Sequence, residues 1–165
     1  MKLFSKPLTV EQADYANADH AAAIVMLLDS YARDPMGGGK PLPDDVCAQV
    51  VPALAASGCG FSLLAWRGDK AVGLVVCFET VSTFAARPLV NIHDIAVLPE
   101  MRGKGVGRAL IAAAEAEAAR RGACKVTLEV LSGNKAAQAL YASCGFAPYA
   151  LDPAKGQAQF WERKL

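Results

Sequence analysis

Histidine is nearly absent from this chain: His20 and His93 are the only two among 165 residues. Cys47, Cys59, Cys77, Cys124 and Cys144 form no C-x-x-C pair. No zinc-type ligand spacing therefore exists, and no metal site is expected. The odd cysteine count argues against a disulfide framework and predicts thiols in a reducing cytoplasm. Neither sign of charge is in excess. Seventeen basic and 16 acidic residues leave a net charge of +1, too little for a general electrostatic footprint on nucleic acid. No apolar run approaches the roughly 18 residues of a membrane span, and the first thirty residues carry no signal-peptide pattern. Neither a nucleic acid nor a membrane is expected as a partner.

With 53% hydrophobic and 20% charged residues, the chain has the composition of an ordinary globular domain, long enough to bury a core. No internal repeat or boundary interrupts it, so one domain over residues 1–165 is expected. Apolar spacing predicts a strand at 6–10 and a helix at about 19–32, then a Gly/Pro-dense loop at 33–43. A second helix to about residue 56 would be capped by Asp44 or Asp45 and kinked or shortened by Pro52. Residues 60–66 and 70–79 read as a hairpin about Arg67-Gly68-Asp69. A loop from 81 to 88 would lead into a strand at 89–98. A helix with Val106, Leu110, Ala113, Ala114 and Ala118 on one face ends near Gly122. Strict alternation from Cys124 to Val130 predicts the next strand. Ser132-Gly133-Asn134 caps a last helix that stops at Gly145, and residues 157–164 can close the sheet. The fold class is a mixed α/β sheet with helices on its faces.

Residues 99–108, Pro-Glu-Met-Arg-Gly-Lys-Gly-Val-Gly-Arg, join a strand to a helix. Gly103, Gly105 and Gly107 permit close approach and positive φ. Arg102, Lys104 and Arg108 interleave with them, and no acid follows Glu100 until Glu115. Free N–H groups at the positive end of a helix dipole make such a turn an anion site, so a phosphorylated ligand is expected. Two common phosphate loops fail. A Walker loop ending at Gly39-Lys40 has Asp34 in place of its first glycine and Pro41 after the lysine. A dinucleotide fingerprint starting at Gly103 would need glycine where Arg108 stands.

What fits is Arg102-x-x-Gly105-x-Gly107 after the strand end Asp94-Ile95-Ala96-Val97-Leu98-Pro99. About 25 residues on comes a strand, then Asn134-x-x-Ala137-x-x-Leu140-Tyr141-x-x-x-Gly145-Phe146. In these motifs the chain resembles the GNAT superfamily of N-acetyltransferases, over roughly residues 60–163. The resemblance implies a mostly antiparallel central sheet with about four helices. Residues 60–165 would form the acetyl-CoA-binding core, and residues 1–59 mainly acceptor-site helices. It implies acetyl-CoA as acyl donor, with Arg102, Gly103, Lys104, Gly105, Val106, Gly107 and Arg108 around its diphosphate. Ile95, Ala96 and Val97 would pair with the pantetheine amides, with a backbone N–H near Val97 for the oxyanion. Asn134 and Ala137 lie in the second motif, where Asn134 either holds the pantetheine arm or merely caps the helix. Tyr141 matches the family's tyrosine that protonates the departing thiolate.

Such enzymes let an amine attack the thioester directly. An amine of pKa about 10.4 is neutral in roughly one molecule in 2,500 at pH 7, a cost of about 4.6 kcal/mol. A base is therefore useful. His93, then Glu129, then Asp94 are the candidates, with water-relayed deprotonation as the alternative. His93 and Asp94 are neighbours, so in a regular strand they face opposite sides unless a bulge intervenes. Phe78-Glu79-Thr80-Val81-Ser82-Thr83-Phe84 is similar to diamine acetyltransferases, which carry Glu-Asp where this chain has His93-Asp94. Losing one carboxylate weakens the case for a polycation. Asp29, Asp34, Asp44 and Asp45 would surround the acceptor mouth or simply face solvent. A small primary amine, diamine or amino-acid-like, is the expected acceptor. A peptide or protein amine, with loop 35–43 along a groove, and a non-catalytic acyl-CoA-binding module are the alternatives. Edge strands in this family often pair, which would give a homodimer.

Overall fold

The computed structural model describes residues 6–152, 154, 156 and 158–164. They divide into two compact units, Met1–Leu128 and Glu129–Leu165. The first unit holds a five-stranded sheet in the order β1-β2-β3-β4-β5. Its strands are β1 (Leu8–Gln12), β2 (Gly60–Arg67), β3 (Lys70–Ser82), β4 (Arg87–Val97) and β5 (Val126–Leu128), and its helices are α1 (Ala18–Ala32), α2 (Asp44–Ala56) and α3 (Val106–Arg120). β1 to β4 pair antiparallel, and β4 pairs β5 in parallel. The second unit contains the helix α4 (Lys135–Ser143). Among the described residues no helix is long and apolar enough to cross a membrane.

The two faces of the sheet follow from the two-residue period of β3. Leu74, Val76 and Phe78 point one way and Gly73, Val75 and Cys77 the other. Val76 and Phe78 share a cavity with residues of α1 and α2, whereas Gly73 lies under Val106 and Leu110 of α3. Both layers are dry: Ile24 and Leu27 of α1, Val51 and Leu54 of α2, and Leu110, Ile111 and Ala114 of α3 are buried. Each of these Val, Leu and Ile side chains contributes roughly 1.5–3 kcal/mol by leaving water.

Several elements differ from the sequence expectation, each for a physical reason. β1 starts two residues late because its ladder runs from Leu8↔Arg67 to Gln12↔Leu63. α2 is capped by Pro43 with no side-chain bond, and Asp44 and Asp45 lie in its first turn, where the dipole favours acids. The same helix continues through Pro52. The lost bond to the Ala48 carbonyl costs about 3 kcal/mol, which burial of Val51 and Leu54 offsets. The expected loop at 81–88 shrinks to residues 83–86, because β3 and β4 pair as far as Ser82↔Arg87. β5 is three residues long because β4 accompanies it only from Val90↔Val126 to Ile92↔Leu128. Of the expected closing segment 157–164, residue 157 lies outside the described residues. Residues 158–164 form no strand, because no strand of the sheet pairs with them.

Candidate active site

The site in the first unit begins with one extra residue in β4. Asp94 pairs with Val76 and Ile92 with Cys77, so His93 has no opposite number and forms a β-bulge. Two strand residues then oppose one, and the alternation of side chains slips by one step. The slip decides where the two candidate bases point. His93 and Asp94 both line one cavity of about 270 Å³, walled by Leu28, Val50, Ala53, Leu54, Val76 and Phe78. The His93 and Phe78 rings meet edge-to-face, 5.4 Å apart at 83°.

The electrostatics of the cavity follow from its apolar walls. Burial pushes the Asp94 carboxyl above the ordinary aspartate range, and the neighbouring His93 pulls it partly back. Tyr31, at the end of α1, is pushed up by burial and then by the nearby negative charges of Asp94 and Asp34. Tyr31 reads in the sequence only as part of the apolar stripe of α1. No sequence signal places it near Asp94, because the two lie on segments far apart in the chain.

The bulge coincides with the end of the β4–β5 ladder at Ile92↔Leu128. Among the described residues, the β5-side edge of β4 from His93 to Val97 carries no strand partner, which leaves Ile95, Ala96 and Val97 at an open edge. Glu129 is not on β5 as expected. It is exposed, one residue past the end of that strand, and begins the second unit.

Beyond β4, a short 3-10 turn (Pro99–Met101) leads into the glycine-rich turn. Gly103 and Gly105 have φ of +70° and +82°, which disfavours any side chain there. Gly105 is the N-cap of α3; it supplies no side-chain cap, and the first helical turn holds no acid. The first N–H groups of α3 are thereby left for an anion, at the positive end of the dipole. The cations of the turn are not equivalent. Arg102 Nη2 lies 2.8 Å from Asp34 Oδ2, and its Nε donates to the Val97 carbonyl at 3.3 Å. Lys104 Nζ donates to the Glu100 carbonyl at 2.6 Å. Close packing holds the turn against the sheet, since a Cβ on Gly73 would stand 2.8 Å from Val106 Cγ1 and 3.1 Å from the Ala96 carbonyl oxygen.

The four loop and helix acids separate. Asp29 serves the fold, accepting from Leu42 N at 2.9 Å and pairing with Arg33 at 2.8 Å. Asp34 reaches the glycine turn. Asp44 and Asp45 are exposed. Among the described residues, no group of three or more His, Cys, Asp or Glu could hold a metal.

The second unit places Asn134 at the N-cap of α4, where its Oδ1 accepts from Ala137 N at 3.1 Å. Tyr141 is the buried residue of α4. Its ring lies 6.2 Å from that of Phe146, and its carbonyl accepts from Phe146 N at 3.0 Å. Gly145, with φ of +91°, lets the chain turn there.

The glycine turn, the open strand edge and the bulge all belong to the first unit. The family model described as Acetyltransferase (GNAT) family matches residues 24–146. The chain belongs to the GNAT family. Among curated GNAT relatives, a mycothiol acetyltransferase of Thermobispora bispora is 42% identical over 135 residues, 81% of this chain and 45% of that protein. A thialysine N-epsilon-acetyltransferase of Mus musculus is 28% identical over 135 residues, 82% of this chain and 72% of that protein. The chain spans only 21%, 34% and 48% of the lengths of the first three curated relatives it matches. Among solved structures, aminoglycoside N-acetyltransferase AAC(6')-Iy in complex with CoA superposes with a TM-score of 0.74 at 20% identity. That match covers 98% of this chain and 97% of that one, and shares the GNAT fold.

Proposed function

We propose that this chain is an acetyl-CoA-dependent N-acetyltransferase whose acceptor is a small primary amine. The observation that carries the reading is the bulge at His93, which brings an imidazole and a carboxylate to one small, otherwise apolar cavity. Its 270 Å³ lies just below the range usual for drug-sized ligands. It suits a compact amine on a short aliphatic stem better than a multi-ring acceptor. A mycothiol and a thialysine acetyltransferase among the relatives are consistent with a small-molecule amine. A peptide acceptor is less well supported. The loop that would flank its groove is held on α1 by Lys40 N to the Ala32 carbonyl and Leu42 N to Asp29.

In this reading the amides and cations of residues 102–108 receive the coenzyme's diphosphate. The open edge at Ile95–Val97 receives the pantetheine amides. Asp94 holds the incoming ammonium, and His93 accepts the proton that must leave before nitrogen can attack. The nitrogen forms a C–N bond to the acetyl carbonyl. A Val97-region N–H steadies the oxyanion, and the C–S bond then breaks. Tyr141, by its place in the second motif, gives the thiolate its proton. Asn134 keeps its capping bond through Oδ1 and meets the pantetheine arm through its amide nitrogen. Five free thiols suit a reducing cytoplasm, and the family resemblance suggests a homodimer.

The test is coenzyme A release with a panel of small primary amines, using the wild type and Asp94→Asn. A charge-assisted contact contributes about 1.5–3 kcal/mol, so Asp94→Asn should raise the acceptor KM roughly 10- to 150-fold with acetyl-CoA affinity unchanged. Acetylation confined to peptides, or equal KM values in the two proteins, would defeat this reading.

A further inference from the structure

We infer that Asp34 is a positioning residue that ties the α1–α2 loop to the coenzyme turn and couples the two. The inference rests on the assignment of residues 102–108 to the coenzyme, and goes beyond it by giving a role to a residue outside every motif.

The geometry is that of a carboxylate shared between two segments. Asp34 Oδ1 accepts from Met36 N at 2.8 Å, while Oδ2 takes the Arg102 guanidinium at 2.8 Å. The Asp34 carbonyl accepts from Gly37 N and Gly39 N at 2.8 and 3.0 Å. One residue thus organises the loop that leads to α2, whose Val50, Ala53 and Leu54 wall the acceptor cavity. Gly37 is pressed so tightly onto α1 that a Cβ would overlap the Tyr31 carbonyl oxygen. The loop therefore has little slack in which to absorb a shift of Asp34.

On the other side, Arg102 is pinned at two points, by Asp34 and by the Val97 carbonyl at the end of β4. A guanidinium fork held at both prongs fixes the entry to the glycine turn. Its direction is then decided before the coenzyme arrives. The Asp34 side chain is 16% exposed and that of Arg102 51%, so water screens this pair less than Lys6–Asp69, whose side chains are 48% and 93% exposed. A turn whose entry depends on the loop must, by linkage, make the order of the loop depend on the turn.

Asp34→Asn separates the two functions, because asparagine still offers Oδ1 to Met36 N but loses the charge that holds Arg102. Calorimetry with acetyl-CoA should give a Kd raised about fivefold or more, the lower end of usual coupling. In hydrogen exchange, acetyl-CoA should slow the amides of Gly37, Gly39 and Lys40 in the wild type and not in Asp34→Asn. Asp34→Glu should recover part of the affinity. Asp34→Asn placed on Arg102→Gln should cost nothing further, whereas Asp69→Asn should leave Kd unchanged. Equal or tighter binding by Asp34→Asn, loop protection that persists in it, or full multiplication of the two effects would overturn the coupling. Gly107→Asp distinguishes failure of the underlying assignment. An acid in the first turn of α3 supports the helix but opposes a diphosphate, so undiminished acetyl-CoA binding by that variant would remove the coenzyme from the turn altogether.

Discussion

Gly73→Ala should displace the glycine-rich turn, proposed to hold the coenzyme, without touching it. Gly73 sits in β3 beneath the start of α3, where an added Cβ would stand 2.8 Å from Val106 Cγ1, 2.9 Å from Leu110 Cδ1 and 3.1 Å from the Ala96 carbonyl oxygen. Carbon atoms pack at about 3.5–4.0 Å, so α3 must move away by roughly 0.7–1 Å. The neighbours cannot simply rotate aside. Val106 is β-branched and confined to one rotamer in a helix, Leu110 is fully buried, and the Ala96 oxygen belongs to the backbone. Overpacking of this kind costs about 1–3 kcal/mol, while replacing glycine stiffens the unfolded chain and returns about 0.4–1 kcal/mol. A net loss of roughly 0.5–2 kcal/mol is expected by urea denaturation. The functional effect should be larger, since misplacement of a site by about 1 Å can cost on the order of a hundredfold. The assays are acetyl-CoA calorimetry and kcat/KM, with urea denaturation of Gly133→Ala as the stability control for a glycine that has open space around it and no positive φ. If Gly73→Ala equals the wild type in stability and coenzyme affinity, close packing beneath α3 does not position the turn.

Three further outcomes follow from the charged and buried groups. Glu117 accepts from Arg120 and Arg121 at 2.6–2.7 Å, and Arg120, then Arg121, draw its carboxyl down to about 2 against the cost of burial. Glu117→Gln should cost about 1–3 kcal/mol at pH 7 by urea denaturation. Because the folded value is depressed, this stabilisation is whole above the unfolded carboxylate pKa of about 4.3 and fades as pH falls toward 2. Asp94, raised by burial, should give kcat/KM for the amine an acid limb above the ordinary aspartate range. Activity would fall as pH drops through that value, and an unchanged limb in Asp94→Asn would discount it. Burial pushes the Cys77 thiol up to about 12, so a thiol reagent at pH 8 should modify exposed Cys59 and spare Cys77 until the protein unfolds; early labelling of Cys77, read by peptide mass, would contradict the burial.

Much of the fold was legible in the sequence because it depends on local period. The amphipathic runs of α1 and α3, the hairpin about Arg67-Gly68-Asp69 and the Asn134 cap each announce themselves within a dozen residues. The glycine turn was legible for the same reason. Its conformation is set by residues that tolerate positive φ, next to a helix start without an acid. Strand ends were not, since β5 stops where its pairing with β4 stops and residues 158–164 form no strand at all, and pairing is a property of two segments. The pattern Cys124–Val130 therefore overstates β5 and misplaces Glu129.

Chain order and residue type were enough to establish the α/β class, the glycine-rich turn that opens α3 and the likeness to N-acetyltransferases. Tertiary structure alone decided that His93 and Asp94 share a cavity, because a bulge is a mismatch between two strands and has no signature in either. It alone joined Asp34 to Arg102 as well. An ion pair between segments nearly seventy residues apart forms only when packing brings the charges within a few ångströms, where their attraction outweighs hydration and screening.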